Sequence, residues 1–545
     1  MTEKSLTVGE YLLEELKRLR IKRVYGIPGD MIIKFFKLLE DDADIELCTF
    51  SHEPAVGFAA VADARALRKP AVAVVTYGPG VLNTLNAVAC AYAEKTPLIM
   101  VAGSPPLSAR TKDFFLHHTI KSCSSLLNAV SEITAQAVIL DDPQTAADKI
   151  SKALATCEEN MLPVYIELPA DIVNQKIGSA NKTPASTLTV DEENLAKAKN
   201  IITQRILQAQ KPVIMAGIES DRFDLKPQIL QFAKKLNLPV VSTVLARDHI
   251  SPDDPNFFGT YLGVAGNPAA GKLVAESDLV LVLGEMLSDV NLGAKLTATK
   301  RGEIIWCFSG EVNAEDQTIV NVPLKALVVE LCKVEMQKKN LELPARVSLK
   351  VNRVCKFTAK SLVMEEVIDA VNWLFGEFGE MPLIADTGDC LFATLNIQAS
   401  TVMAPSFYGT MGFAVPAAIG YALATKKRPL VLVGDGGFQM TGQEICHCPK
   451  YKINPIFVVI NNRRWGMEQL FYPSARFNEL VNWPYAQMAE LWGGKGYRCE
   501  SCEQLYRALQ DAQGQKRFTL IEVVTERDEL SEELMAWIVE QKGEE

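Results

Sequence analysis

The stretch VGDGGFQM at 433–440 and the run VVINN ending at Asn462 each finish an apolar segment on oxygen-bearing side chains. Asp435 offers a carboxylate and Asn462 an amide carbonyl. Both are hard ligands suited to Mg²⁺, which completes its octahedron with water and phosphate oxygens. Gly436 and Gly437 allow the backbone to approach a diphosphate, and the helix that follows would aim its N-terminus at that charge. A GDG turn alone is unspecific; its separation from NN, with both ending strands, points to a metal–diphosphate site. In FSHEPAVGFAA (50–60), Glu53 precedes Pro54 at a strand-to-helix turn, where proline is tolerated. On its residues alone Glu53 reads as an acid stabilised by the helix dipole. Asp30 in YGIPGDMII reads as a turn aspartate or an N-cap. KDFFLHHTIKS (112–122) sets His117 beside His118, two of only five histidines in the chain. Adjacent positions do not share a face of a helix or strand, so a shared metal is awkward. Acid–base work and plain loop polarity both stay open.

These residues need elements to hold them, and the pattern of apolar runs supplies the elements. RVYGIPG, ELCTF, AVAVVTYG, PLIMVAG and PVYIELP fall in the first third of the chain. PVIMAG, PVVST, DLVLVLG and EIIWCFSG fall in the middle; PLIADTG, PLVLVGDGG, PIFVVINN and FTLIEVVTE in the last third. Continuous β-branched runs separated by amphipathic segments predict parallel sheets covered on both faces. Polar stretches at 174–194 and 338–353 read as linkers. The expected architecture is α/β, with three doubly wound parallel-sheet domains over 1–180, 190–340 and 350–545. Ligands of such sheets sit outside the carboxyl ends of the strands. GIPGD, TYGPG, ADTGD, VGDGG and VINN all lie there.

Composition narrows the partners. The chain has 545 residues, 48% hydrophobic and 22% charged, a globular balance. Its net charge of −10 argues against nucleic acid, which needs a basic face, but leaves room for a small anionic substrate. The twelve cysteines are scattered rather than framed as a disulfide scaffold. The N-terminal MTEKSLTVGEYLLEELKRL lacks an apolar signal core, and no apolar run approaches the roughly 20 residues of a membrane span. A cytoplasmic protein with reduced thiols and no membrane partner is the expectation.

GDG followed by NN at this separation resembles the signature of the thiamine diphosphate-dependent 2-oxo acid decarboxylase family, and the likeness covers essentially the whole chain. The resemblance implies a pyrimidine-binding, a central and a diphosphate-binding domain, with thiamine diphosphate and Mg²⁺ as cofactors. It implies that Asp435 and Asn462 hold Mg²⁺ through their side chains and Arg464 through its carbonyl. Arg463-Arg464-Trp465 stands where many relatives carry glycine and tyrosine. HEPAVGFAA is similar to the family's pyrimidine-activating segment, so Glu53 would bond the pyrimidine and favour the tautomer that yields the thiazolium ylid. In FYGTMGFAVPAAIGYA, the Gly409 carbonyl would receive the 4′-amino group and Met411 would wedge the cofactor into its bent shape. Thr387, Gly388, Asp389, Gly436, Gly437 and Met467 complete the implied cofactor contacts. Asp30, His117, His118 and Glu468 match the proton relay that protonates the enamine and releases the aldehyde, with Glu468 beside the departing carboxylate. Leu391, where pyruvate-specific relatives are bulkier, implies with Val290 and Phe471 a pocket for aryl or long branched 2-oxo acids such as phenylpyruvate or indolepyruvate. The family's active sites form at subunit interfaces, implying a homodimer or homotetramer. The competing readings are a carboligase of acetolactate-synthase type and a cofactor-binding regulator without turnover.

Other signals are set aside. CHC (446–448) and CESC (499–502) could offer zinc four ligands, yet Cys446 falls in a helical stretch and CESCEQLYRAL opens a helix, whereas zinc needs convergent loops. YGPGVLN has too few glycines for a dinucleotide fingerprint and is expected to line the pyrimidine site. The middle third holds no readable flavin motif. ERDELSEELMAW reads as a solvated helix near the site entrance.

Overall fold

The computed structural model describes residues 6–110, 115–178, 189–247, 250–290, 303–314, 316–347 and 362–542. The chain divides into two compact units, residues 1–188 with 416–426, and residues 189–415 with 427–545.

The first unit carries six strands: β1 (Arg23–Gly26), β2 (Glu46–Thr49), β3 (Ala71–Val75), β4 (Leu98–Ser104), β5 (Gln136–Ile139) and β6 (Val164–Pro169). They form one parallel sheet in the order β2-β1-β3-β4-β6-β5. β3, β4 and β6 are buried throughout, as their unbroken apolar runs predict. The small residues after Glu53 have a packing cause. A Cβ on Gly57 would lie 2.3 Å from that of Ala87 on the helix Pro79–Ala93, and one on Gly420 would lie 2.2 Å from the Ala59 carbonyl. The helix Glu53–Leu67 is therefore gripped at backbone distance. Its Asp63 accepts from Tyr25 Oη (2.7 Å) and Arg23 Nε (2.9 Å), which locks it to β1.

The second unit holds two sheets. In the first are β7 (Pro212–Ala216), β8 (Val240–Ser242), β9 (Phe257–Thr260), β10 (Leu279–Leu283), β11 (Ile304–Phe308), β12 (Glu311–Ala314) and β13 (Gln317–Ile319). Their order is β13-β12-β11-β10-β7-β8-β9, parallel except for the antiparallel β12 and β13. In the second are β14 (Leu383–Ala385), β15 (Val402–Met403), β16 (Leu430–Gly434), β17 (Ile456–Asn461), β18 (Lys495–Cys499) and β19 (Thr519–Val524). They run parallel in the order β15-β14-β16-β17-β19-β18.

The three expected α/β sheets are present, and every apolar run quoted above contains a strand. The strands the pattern did not mark, β5, β9, β12, β13, β15 and β18, are mostly sheet edges. β5 is half-buried at every position and β18 at most, so neither shows a continuous apolar run. Of the two linker stretches, 179–188 and 348–353 lie outside the described residues, while 338–347 runs without helix or strand. Cys446 and Cys502 do fall in helical turns, Gly442–Cys446 and Cys502–Gly514.

Candidate active site

In the second unit, the carboxyl ends of β14, β16 and β17 open onto a cavity of about 350 Å³. Asp435, Asn462, Arg464, Met467 and Glu468 all line it, as do Thr387, Gly388, Asp389, Gly409, Met411, Gly436, Gly437, Leu391 and Val290. Groups far apart along the chain are thus collected by the strand ends. Phe471 is a correction: it does not line this cavity, and 61% of it is exposed. It follows the short helix Gly466–Gln469, and its N–H bonds back to the Glu468 carbonyl (3.1 Å), which carries the ring out of the wall.

Asp435 is buried at the end of β16. Its Oδ1 accepts from the Gly436 N–H (2.9 Å) and its Oδ2 from the Arg463 N–H (2.6 Å). Burial pushes its carboxyl up to about 7 against those bonds. Arg463 takes the left-handed conformation at φ 61°. That costs a non-glycine residue roughly 1–2 kcal/mol, and the bond to Asp435 helps to offset it. The Asn462 Oδ1 accepts from the Arg464 N–H (3.0 Å), fixing the amide's orientation. At Gly436 a Cβ would lie 2.3 Å from the Trp465 ring, so any larger residue would have to displace that ring. At Gly434 a Cβ would meet nothing within 4 Å. Hard oxygen donors beside this glycine-lined space fit a diphosphate bound through a hard cation.

A residue without a motif of its own organises the opposite wall. Asp386, buried at the end of β14, accepts from the N–H groups of Thr387 (3.1 Å), Gly412 (3.1 Å) and Ala414 (2.9 Å). Burial raises its carboxyl to about 6 in spite of those three bonds. It pins the 409–414 segment, with Gly409 at φ 65°, and so sets where Met411 stands. Phe407, Trp465 and Trp537 also line the cavity unforeseen, the last packed on Phe392 with ring centroids 5.5 Å apart. Only the ADTGD strand end signalled Asp386. Trp537 ends ERDELSEELMAW, the run expected as a solvated helix near the site entrance; the helix does reach the cavity, but it buries Leu534 and Ile538 rather than standing in solvent.

Asp389 is held by the C-terminal segment, accepting from the Ser531 N–H (3.1 Å) and from the Ser531 hydroxyl. Burial, helped by Glu365 and Glu533, pushes its carboxyl up to about 7 despite the Ser531 bonds. Because the folded value lies above the ordinary one of about 4, the stabilisation is full below that pH and disappears as pH rises through about 7. Asp389→Asn should flatten this slope. Between pH 5 and 7.5 the apparent Tm of the wild type is expected to fall a few degrees more than that of the variant. Parallel melting curves would refute it.

In the first unit the histidine pair does converge. His118 takes φ 69°, and this left-handed step brings two adjacent rings to a centroid distance of 4.7 Å, edge to face. The His117 Nε2 lies 2.6 Å from the Asp30 Oδ2. Ligand atoms of Asp30, His117 and His118 all fall within 4.8 Å of one another, so adjacency did not keep the rings apart. Partial burial pushes the Asp30 carboxyl upward, but the His117 bond, the Met31 N–H and both imidazoles hold it below its usual value. Asp30 sits in a turn and is not an N-cap, since the helix Ile33–Asp41 is capped by Ile32. The YGPG turn makes room for the pair, because at Gly78 (φ 68°) a Cβ would lie 2.6 Å from that of His118. Glu53 opens the helix Glu53–Leu67, and its Oε2 accepts from the Asn83 amide (3.0 Å). Glu468 belongs to the second unit.

Three family models match the chain in order along its length. They are the thiamine pyrophosphate enzyme N-terminal TPP binding domain (6–126), central domain (200–330) and C-terminal TPP binding domain (386–523). Among curated proteins, the indole-3-pyruvate decarboxylase of Azospirillum brasilense is 35% identical over 541 residues, 98% of each chain. Pyruvate decarboxylase isozyme 2 of Saccharomyces cerevisiae is 27% identical over 90% of each chain. The pyruvate decarboxylase of Candida glabrata is 28% identical over 90% of this chain and 89% of its own. A likeness that runs through all three modules and end to end through a relative places this chain in the thiamine diphosphate-dependent 2-oxo acid decarboxylase family.

Proposed function

We propose that the protein decarboxylates an aromatic or long branched 2-oxo acid, of the phenylpyruvate or indolepyruvate kind, to the aldehyde and CO₂. The observation that carries the substrate class is the cavity wall. Leu391 and Val290 stand there as modest aliphatic side chains, with Phe392, Trp465 and Trp537 supplying aromatic surface. Aryl groups pack well against such surfaces. A relative 35% identical is named for indole-3-pyruvate, which supports the same reading.

When bound, thiamine diphosphate supplies the carbanion-stabilising chemistry of decarboxylation. The chain's residues take these roles in our reading. Asp435 and Asn462 hold Mg²⁺ with their side-chain oxygens, joined by the Arg464 carbonyl. Gly436 and Gly437 admit the diphosphate, and Thr387, Gly388, Asp389, Gly409, Met411 and Met467 line the rest of the cofactor's cavity. Glu53 holds a proton at the pyrimidine ring. Asp30, His117 and His118 exchange protons with the reacting carbon and the product oxygen as a coupled group, so individual assignments do not apply. Glu468 faces the carboxylate that leaves. Domain limits of 1–180, 190–340 and 350–545 contain the three matched spans. A homodimer or homotetramer with interfacial active sites, and a cytoplasmic location, complete the proposal. No described helix is long and apolar enough to cross a membrane.

The test is direct. Purified protein with Mg²⁺ and thiamine diphosphate is given a panel of 2-oxo acids while aldehyde and CO₂ are followed. Phenylpyruvate or indolepyruvate should give the highest kcat/KM. Acetolactate without aldehyde, or a clear preference for pyruvate, would overturn the reading. Leu391→Trp should narrow the pocket. Overpacking costs typically 1–3 kcal/mol, so kcat/KM for phenylpyruvate should fall roughly 5- to 100-fold, with pyruvate much less affected.

A further inference from the structure

The middle sheet changes direction between β10 and β7, the place where open α/β sheets usually bind ligands. Here a side chain of the protein fills that crevice. Glu285, two residues past the end of β10, is 0% exposed. Its Oε2 accepts from the Ile218 N–H after β7 (3.1 Å) and from the Thr243 hydroxyl after β8. Its Oε1 accepts from the Met286 N–H (2.9 Å). Gly217 is what admits it, since a Cβ there would lie 2.3 Å from that of Glu285. Burial pushes the carboxyl up to about 7, with the three donors opposing. A carboxyl buried there is tolerated because its oxygens accept from these three donors.

Two of its bonds lead to the substrate-pocket wall of the proposed reaction. Met286 begins a three-residue stretch without regular structure, 286–288, after which a helical turn carries the cavity-lining Val290. Thr243 precedes the turn Val244–Ala246, whose Val244 packs in the same apolar cluster as Leu391 and Phe392. Arg247 then donates to the Thr394 hydroxyl (2.7 Å) and carbonyl (2.6 Å), and that hydroxyl donates to the Leu391 carbonyl (2.5 Å). One carboxyl group thus meets the starts of both segments, beside the Thr243 N–H bond to the Ala216 carbonyl (3.1 Å).

We propose that Glu285 is a positioning residue that sets the width of the substrate pocket, tying Val290 through Met286 and Leu391 through Thr243 and Arg247. The inference rests on reading Leu391 and Val290 as pocket wall, and two single substitutions separate its arms. Glu285→Gln can keep its carbonyl toward Ile218 and Thr243, but then sets an amide N–H against the Met286 N–H. Thr243→Val leaves the carboxyl in place and cuts the other tie. With Mg²⁺ and thiamine diphosphate present, backbone hydrogen exchange is expected to accelerate at least threefold over 286–290 in Glu285→Gln. In Thr243→Val the acceleration should fall over 391–397 instead. In both variants the ratio of kcat/KM for phenylpyruvate to that for pyruvate should change at least fivefold. A merely structural role predicts a uniform rise in exchange and an equal loss for both substrates, and either result would overturn the proposal. If exchange changes locally while selectivity stays fixed in these variants and in Leu391→Trp alike, the tethers stand and the pocket reading fails.

Discussion

Glu53→Gln is expected to lower kcat by about 10²- to 10⁴-fold, the usual range for removing a positioned proton-transfer group. The substitution isolates chemistry from structure. Glu53 lies in the first turn of a helix whose place is fixed elsewhere, by Gly57 against Ala87 and by Asp63 bonded to Tyr25 and Arg23. Glutamine has the same reach and can still accept from Asn83, so the helix and its register should persist. What is lost is an oxygen able to take and return a proton. Thiamine diphosphate binding, followed by quenching of protein fluorescence, should change far less than kcat. Asn83→Ala should cost only about tenfold or less, because it orients Glu53 through a single exposed hydrogen bond. Full activity in Glu53→Gln would remove Glu53 from the mechanism. A parallel collapse of cofactor binding would assign it to binding.

Much of this is legible in the sequence because strand ends are local. An apolar run followed by Asp435-Gly436-Gly437, or one ending in Asn462, marks both an element and the point where its chemistry emerges. The short distance from each motif to its strand is why Asp435, Asn462 and the other second-unit groups that line the cavity meet there. What is illegible depends on tertiary packing. Asp386 looks like any turn acid until the N–H groups of Gly412 and Ala414, more than twenty residues on, are seen to close on it. The C-terminal run that ends in Trp537 reads as a solvated helix near the site, and only the fold shows Trp537 packed on Phe392. Helix and strand periodicity would hold the histidine pair apart, and a single left-handed residue, His118, defeats that expectation. Phe471 lies close to Glu468 along the chain, but a turn intervenes and the ring leaves the wall. β5 and β18 escape because a half-exposed strand has no reason to be continuously apolar.

Asp435→Asn should raise the Mg²⁺ concentration for half-maximal activity at least about 100-fold. A hard divalent cation with few protein ligands depends strongly on each carboxylate it keeps. The amide also fits its site poorly. Both Asp435 oxygens accept backbone N–H groups, from Gly436 and Arg463, so the new NH₂ must face one of these donors. If it faces Arg463, the bond that helps hold a left-handed arginine is lost, and the loop carrying Asn462 and Arg464 loosens with it. A donor set against a buried donor costs roughly 1–3 kcal/mol. Removal of an ionised carboxylate from a buried position works in the opposite direction, because desolvation disfavours the charge. The metal-free variant should therefore melt within a few degrees of the metal-free wild type, while Mg²⁺ and thiamine diphosphate together should raise the Tm of the wild type alone. That contrast separates a lost ligand from a damaged fold. Equal stabilisation of both proteins, with unchanged Mg²⁺ dependence, would show that the metal is held elsewhere.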